Sequence, residues 1–116
     1  MDIELTVADY LTEATGIPFS PSVPLGSAKS RGLVILNSGG HDTGVMQSCV
    51  LSVTVSSDTR KGAQALCDAA LSALMDIHNH RTNLFEPSIN AVYRDDDVAS
   101  RRSAYTVTAL IPVATT

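Results

Sequence analysis

The sequence predicts an α+β fold, a two-layer sandwich with two helices on one face of a mostly antiparallel sheet of four to five strands. Two segments carry apolar residues at three- and four-residue spacing, which is typical of helices. Four others read as strands that turn-forming residues join in pairs. Because strands joined by short turns pair antiparallel, the helices are expected to collect on one face. The predicted order is α-(β)-β-β-α-β-β, in a single domain over residues 1–116.

The first element is a helix over residues 2–15, which Asp2 can cap and Gly16 ends. The proline-rich stretch that follows permits no long element. We expect only a short extended piece around residues 22–25, at a sheet edge where proline is tolerated. The polar segment 26–32 is expected to be a solvated loop.

A first hairpin is predicted from strands over 33–38 and 45–56, with the glycine-rich segment 39–44 as the turn. In the second strand, alternate residues are apolar and most of their neighbours are polar. This alternation predicts an antiparallel strand with one face towards solvent. The residues expected to face the core are Cys49, Leu51, Val53 and Val55.

The strongest helical periodicity lies in residues 58–79. Asp58 is the predicted N-cap, and Asn79 or Asn83 can end the helix. The apolar side carries Ala63, Leu66, Cys67, Ala70, Leu71, Leu74, Ile77 and His78, and the polar side carries Arg60, Gln64, Asp68, Ser72 and Asp76.

A second hairpin is predicted from strands over 87–94 and 103–113, joined by a charged tip at 95–102. In the first of these strands Ile89, Ala91 and Tyr93 alternate with Asn90, Val92 and Arg94. The alternation predicts that each set of three shares one face of the sheet.

Composition narrows the class of protein. The 116 residues carry a net charge of −4, which argues against broad binding to nucleic acid, and no apolar run is long enough to span a membrane. Two cysteines cannot form a disulfide-rich scaffold, and by themselves they do not make a zinc site. We therefore predict that Cys49 and Cys67 are small buried thiols in a reducing compartment.

The tripeptide Asp42-Thr43-Gly44 matches the catalytic aspartate motif of aspartic proteases. Such an enzyme needs two carboxylates in rigid, partly buried loops, close enough to share a proton. Here Gly39, Gly40 and His41 precede the aspartate, which indicates a mobile, wet loop, and the long helix has no place in a small all-β protease. We interpret the tripeptide as a turn.

The segment His78-Asn79-His80 spells the name of a nuclease family, whose signature is instead spread over a hairpin and a helix. Residues two apart on a helix point to opposed faces, so the two imidazoles cannot readily share a metal ion. At a helix C-terminus, partial positive charge on these side chains is favourable. We predict no metal site and no cofactor.

A charge run such as this tip is more often a solvated hairpin end, and an interaction surface is the main alternative. Three adjacent carboxylates converge poorly on a cation, whereas separate acidic and basic blocks suit head-to-tail contacts between subunits. No nucleophile elbow, phosphate loop or dinucleotide fingerprint is present, so no catalytic residue is predicted. The candidate interface residues are Arg94, Asp95, Asp96, Asp97, Arg101 and Arg102, with Arg60 and Lys61 at the start of the second helix.

The order of elements resembles that of the tail terminator (tail-completion) proteins of long-tailed bacteriophages, including those described as minor tail or minor capsid proteins. Two segments carry the resemblance. LSVTVSSDTRKGAQAL, residues 51–66, is an alternating strand, a Ser/Thr/Asp turn and a helix that starts with basic and small residues. RDDDVASRRSAYTVTA, residues 94–109, is an Arg- and Asp-rich tip before a Tyr-containing last strand.

The resemblance implies a structural virion protein rather than an enzyme. Copies would form a ring, typically a hexamer, that caps the tail tube, stops its polymerisation and joins it to the head connector. The implied partners are the chain itself, the tail tube protein and a head-completion or connector protein, with DNA only as passing cargo and no membrane. The implied location is the head–tail interface of the virion, after assembly in the host cytoplasm.

Two alternatives remain open. One is another small oligomeric head–tail connector or adaptor, which a ring of different order or a dimer would indicate. The other, less favoured, is a dimeric aspartic protease using Asp42, for which Asp42→Asn would abolish an activity and leave the fold intact. Under the terminator hypothesis that change has no effect, while charge reversal at Arg101 and Arg102 weakens assembly.

Overall fold

The computed structural model describes residues 2–21, 30–38, 46–96 and 102–114, with the backbone alone at positions 38 and 46. Its two-layer α+β architecture and element order confirm the predicted fold. The elements are α1 (Ile3–Thr15), β1 (Phe19–Ser20), β2 (Ser30–Ser38), β3 (Met46–Ser57), α2 (Arg60–Met75), a 3-10 helix (Ile77–Asn79), β4 (Ser88–Arg94) and β5 (Ser103–Ala114).

The five strands form one sheet in the order β1-β2-β3-β5-β4. β1 is parallel to β2, and all other neighbours are antiparallel. Both helices pack on the same face, α1 over β1 and β2 and α2 over β3 and β5. The core between the layers includes the fully buried Leu11, Val34, Leu51, Leu74 and Ile111.

The ends of α1 follow the sequence signals. The Asp2 carboxylate accepts a hydrogen bond from the Leu5 N–H at 3.2 Å, as an N-cap does. Gly16 ends the helix at φ 74°, a left-handed conformation that glycine adopts without steric cost, and its N–H donates to the Thr12 carbonyl. Both predicted boundary residues are thus confirmed.

The predicted cap and end of α2 are wrong. Thr59, not Asp58, is the N-cap, because its hydroxyl accepts from the Gly62 N–H at 3.0 Å. The Asp58 carboxylate instead accepts from the Ser57 hydroxyl. The α-helix ends at Met75, before either predicted asparagine. The chain then tightens into the 3-10 helix, where the Asp76 carboxylate accepts from the Asn79 side-chain amide.

The strands before β3 also differ from expectation. Residues 30–32 were expected in a loop but begin β2, because they pair with Ser57–Val55 at the end of β3. The edge strand is β1, earlier than the extended piece expected around 22–25. That piece and the predicted turn 39–44 lie outside the described residues.

A β-bulge in β4 overturns the predicted sharing of faces. Ile89 pairs with Ala109, but Ala91 pairs with Thr108, so Asn90 is an additional residue between them. As a result, Ile89 faces the helices, whereas Ala91 and Tyr93 face the other side of the sheet. Period-two alternation cannot anticipate this change, because the bulge inserts one residue into the pattern.

Cys49 and Cys67 are buried free thiols, as predicted, and burial raises the pKa of both. The predicted core face of β3, with Leu51, Val53 and Val55, is fully buried. Among the helices in the described part of the chain, none is long and apolar enough to cross a membrane.

Candidate subunit interface

Six of the eight candidate interface residues lie at one end of the sheet. Ser57, the last residue of β3, pairs with Ser103 at the start of β5, so the beginning of α2 lies beside the β4–β5 hairpin. This topology brings distant parts of the sequence together. Arg60 and Lys61 are exposed at the start of α2, Arg94, Asp95 and Asp96 end and follow β4, and Arg102 immediately precedes β5. Asp97 and Arg101 lie outside the described residues.

Arg94 and Asp96 form an ion pair within the subunit. The Asp96 Oδ2 atom lies 2.7 Å from Nε and 2.6 Å from Nη2 of the guanidinium. The other carboxylate oxygen accepts from the Ala104 backbone N–H at 3.1 Å. The hydrogen bond from Arg94 is the largest cause of a lowered pKa at Asp96, and the nearby charge of Arg60 lowers that pKa further. The pair holds the first residues of the tip against β5.

The neighbouring carboxylate, Asp95, is also engaged inside the subunit. It accepts a hydrogen bond from the Thr106 hydroxyl at 3.1 Å, and Thr106 lies 3.0 Å from the Thr54 hydroxyl on β3. On the same face of the sheet, the Arg102 guanidinium donates to the Ser56 hydroxyl at 3.4 Å. These bonds connect the hairpin to the surface of β3 that no helix covers.

The distribution of charge at this end is therefore uneven. The two described carboxylates of the tip are satisfied by donors of the same chain. Arg60 and Lys61 instead are exposed, and Arg94 keeps 48% of its side-chain surface accessible. Charged groups at the rim of an interface chiefly guide encounter and orientation. Among the described residues of this end, Arg60 and Lys61 project into solvent, and Asp58 and Asp95 are exposed near them.

The face of the sheet opposite the helices is rich in hydroxyl groups. Its central rows pair Ser52 with Thr108 and Thr54 with Thr106 across β3 and β5. Val50 and Leu110 continue the same rows and are only half-buried. An antiparallel sheet commonly leaves one such face to solvent, or offers it to a partner.

A second polar cluster, which the sequence analysis missed, joins α1 to the segment after α2. The His80 ring stacks on Tyr10 at 5.7 Å between centroids, and the Arg81 guanidinium lies 5.1 Å from the centre of the same ring. Arg81 also pairs with Glu13 at 2.8 Å. These residues line a shallow cleft of about 160 Å³. Its only sequence signal is the i,i+4 spacing of Asp76 and His80, which lie 2.8 Å apart.

These contacts hold α1 against the segment that follows α2, so they stabilise the fold. The hydrogen bond from Asn79 is the largest cause of the lowered Asp76 pKa, followed by that of His80. His78 follows the α-helix rather than ending it, and its half-buried ring has one buried nitrogen, Nδ1, without a hydrogen-bond partner in the described structure. No three His, Cys, Asp or Glu side chains among the described residues are grouped to hold a metal ion. Asp42 and His41 lie outside those residues.

Comparison with known proteins adds no relative: no protein-family model matches the chain, and no curated protein is significantly similar to it.

Proposed function

We propose that this chain is a structural virion protein, the tail terminator of a long-tailed bacteriophage. In this proposal its copies form a ring, most simply of six, at the end of the tail tube. One face of the ring stops polymerisation of the tube protein, and the other receives the head-completion or connector protein. DNA passes through the centre without being bound in sequence-specific fashion.

The observation that carries the proposal is the gathering of candidate interface residues at one end of the sheet. Arg60 and Lys61 come from α2, and Arg94 comes from β4, yet all three are exposed beside the same hairpin. A ring needs two different patches on each subunit, because head-to-tail contacts close by rotation. This end supplies one such patch. The element order on which the resemblance depends is also that of the fold, with α2 directly after β3.

The acidic composition suits the proposed role. A lumen through which DNA must slide gains from weak attraction to phosphate, since cationic surfaces bind DNA through release of counterions. The chain carries 12 acidic and 8 basic residues. In the proposal the exposed cations of the hairpin end face a neighbouring subunit rather than the lumen.

The test is the mass of the purified chain in solution, measured by light scattering over a concentration series, with negative-stain images of the same fractions. A ring with an open centre supports the proposal. A dimer of fixed mass at every concentration overturns it in favour of a dimeric adaptor. A chain that stays monomeric at the highest concentrations, with no ring on the grid, also counts against it.

A pair of matched variants links the ring to the hairpin end. Arg60→Glu/Arg94→Glu reverses two exposed charges and is expected to weaken assembly, because like charges across an interface are unfavourable. Arg60→Lys/Arg94→Lys retains both charges at the same positions and is expected to assemble. Equal assembly of both variants, with thermal unfolding like that of the wild type, means that this end takes no part in the ring.

A further inference from the structure

The outer edge of β4 presents backbone groups that are free to pair with another strand. Arg94 lies opposite Tyr105, and Asp95 donates its N–H to the Ala104 carbonyl of β5. Backbone groups alternate in direction along an antiparallel ladder, so Val92 and Arg94 direct their N–H and C=O groups away from β5. In the part of the chain that the structure describes, β4 is the last strand of the sheet and no strand lies beyond it. An unpaired edge of this kind is a template for another strand.

The side chains of the same segment are exposed on both faces of the sheet. Val92 is opposite the core residue Val107 and therefore lies on the helix side. Tyr93 is opposite Thr106 and lies on the other face. Their exposed fractions are 46% and 48%, and the Arg94 side chain keeps 48% of its surface accessible. A contact through one face would cover only part of this set, whereas a strand added at the edge covers both faces at once.

The segment that can pair is short. Pro87 has no N–H to donate, and the bulge at Asn90 interrupts the ladder near the start of β4. At the other end, the Asp96 carboxylate turns back to accept the Ala104 N–H at 3.1 Å. Strand addition is therefore limited to residues 91–95, which permits one short ladder.

A second copy of the chain fits this segment best in one antiparallel register. The free groups belong to Val92 and Arg94, so two copies related by a two-fold axis can place Val92 against Val92, Arg94 against Arg94, or Val92 against Arg94. The first register sets the bulged Asn90 against Arg94 and so breaks the ladder. The second sets like charges directly opposite, which is unfavourable. The third is centred on Tyr93 and forms two hydrogen-bonded pairs, in each of which both N–H groups donate.

Side-chain complementarity in the third register favours a second copy over an unrelated strand. Each Arg94 lies beside Val92 of the other copy, and its own Asp96, 2.6 Å away, balances its charge. The exposed Asp95 lies opposite Ala91, so no like charges meet within the ladder. The two Tyr93 side chains form the central non-hydrogen-bonded pair. Side chains of paired strands are closest at such a position, and an aromatic pair is favourable there.

We infer that two copies of this chain pair through their β4 edges, with Tyr93 on the two-fold axis. The pairing ends at two copies, because each has then used its β4 edge. At the other edge of the sheet the side chains of Thr12 and Glu4 accept backbone N–H groups, which opposes strand addition there. An isologous contact of this kind is distinct from the head-to-tail contacts of a ring. Arg94 belongs both to this contact and to the surface that we propose for the ring, so a paired copy is withheld from the ring; this consequence rests on the proposed function.

Cysteine cross-linking tests the register. In the inferred contact the two Cα atoms at position 93 lie about 4.5 Å apart, which suits a disulfide, so Tyr93→Cys is expected to give a covalent dimer under mild oxidation. Ala91→Cys is the matched control. Ala91 is exposed on the same face as Tyr93, but its two copies are offset by roughly 13 Å along the strands. The native Cys49 and Cys67 are buried and do not compete.

Removal of a backbone donor tests the pairing itself. Val92→Pro deletes one outward N–H in each copy and leaves the ladder with β5 intact, since proline is tolerated where the N–H faces solvent. Dimer formation, measured by analytical ultracentrifugation over a concentration series, is expected to weaken roughly 30-fold, because the contact loses two hydrogen bonds. Val92→Thr keeps the N–H and a β-branched side chain, and is expected to pair like the wild type. Circular dichroism verifies the fold of each variant, and if Val92→Pro unfolds, the cross-linking comparison decides alone.

The outcomes separate the contact from the function. Tyr93→Cys chains that stay monomeric, or that cross-link no faster than Ala91→Cys chains, overturn the pairing whether or not the wild type forms rings. A rapid and selective cross-link supports the pairing. If Val92→Pro forms rings at lower concentration than the wild type, the pair competes with the ring, and rings at equal concentrations overturn that competition. A selective cross-link together with an absence of rings from every variant supports the pairing and overturns the proposed terminator.

Discussion

Adding one methyl group at Gly32 is expected to destabilise the fold, although the change favours an extended backbone. Gly32 lies in β2 under the ring of Phe19, and a Cβ atom built there lies 2.8 Å from the ring's Cγ and overlaps Cδ2 and Cε2. The ring cannot easily retreat. Phe19 is 7% exposed, its N–H is bonded to Thr12, and the Gly32 N–H donates to the Pro18 carbonyl at 2.9 Å.

The size of the effect follows from two opposing contributions. Overpacking a tight site costs about 1–3 kcal/mol, while replacing glycine within a strand regains roughly 0.5–1 kcal/mol. We therefore expect Gly32→Ala to lower the free energy of unfolding by about 1 kcal/mol, the difference between the middles of these two ranges. For a chain of this length that corresponds to a Tm lower by roughly 2–8 °C. Urea unfolding followed by circular dichroism measures the change directly.

A double-mutant cycle tests the cause. Phe19→Val removes the ring but keeps a strand-forming residue, so in that background Gly32→Ala is expected to be neutral or stabilising. The coupling between the two changes is then of the same size as the penalty of Gly32→Ala alone. An equal penalty in both backgrounds refutes the steric explanation, and a neutral Gly32→Ala in the wild type refutes the argument entirely.

Three further predictions concern α2 and the β4–β5 hairpin. Thr59→Ala is expected to lower the free energy of unfolding by about 1 kcal/mol through loss of the N-cap bond, whereas Asp58→Ala changes it little; urea unfolding compares them. Gly62→Ala is expected to gain no stability from helix propensity, because its Cβ would lie 2.7 Å from the Ser57 hydroxyl and 2.8 Å from the Thr59 hydroxyl. Ser72→Ala, on the exposed side of α2, is the control, and it is expected to raise the free energy of unfolding. The lowered pKa of Asp96 contributes stability that is present above the ordinary aspartate pKa of about 3.9 and is lost as pH falls below it. Asp96→Asn is therefore expected to lose less stability than the wild type when thermal unfolding is followed from pH 6 to pH 3.

The parts of the fold that the sequence predicts well are those encoded in local patterns. Alternation along β3 identifies Leu51, Val53 and Val55 as core residues, since the helix layer covers one whole face of this strand. Helical periodicity likewise identifies Leu66 and Leu74 on the buried side of α2. These signals are strong because each pattern repeats over several residues, and every residue on the buried face has to be apolar.

The parts that the sequence does not predict depend on contacts between distant residues. β1 has only two residues. It is held in place by the hydrogen bond from Phe19 to the Thr12 hydroxyl and by the one from Gly32 of β2 to the Pro18 carbonyl. The bulge at Asn90 is a feature of register, which the pairing of β4 with β5 decides. The cluster of Tyr10 and His80 likewise joins residues that are seventy positions apart. No periodicity carries such information, because each contact occurs once.

The two edges of the sheet decide which assemblies are physically available to this chain. If both edges were open, copies could extend the sheet without limit, which is the risk that exposed edge strands carry. Thr12 and Glu4 accept hydrogen bonds from the Phe19 and Leu36 N–H groups at the edge formed by β1 and β2, which opposes the addition of a strand at these two positions. The edge at β4 remains open, but the bulge at Asn90 interrupts its ladder. Edges of this kind disfavour the growth of fibres by strand addition. The chain can still associate through side chains, as a ring of fixed size requires.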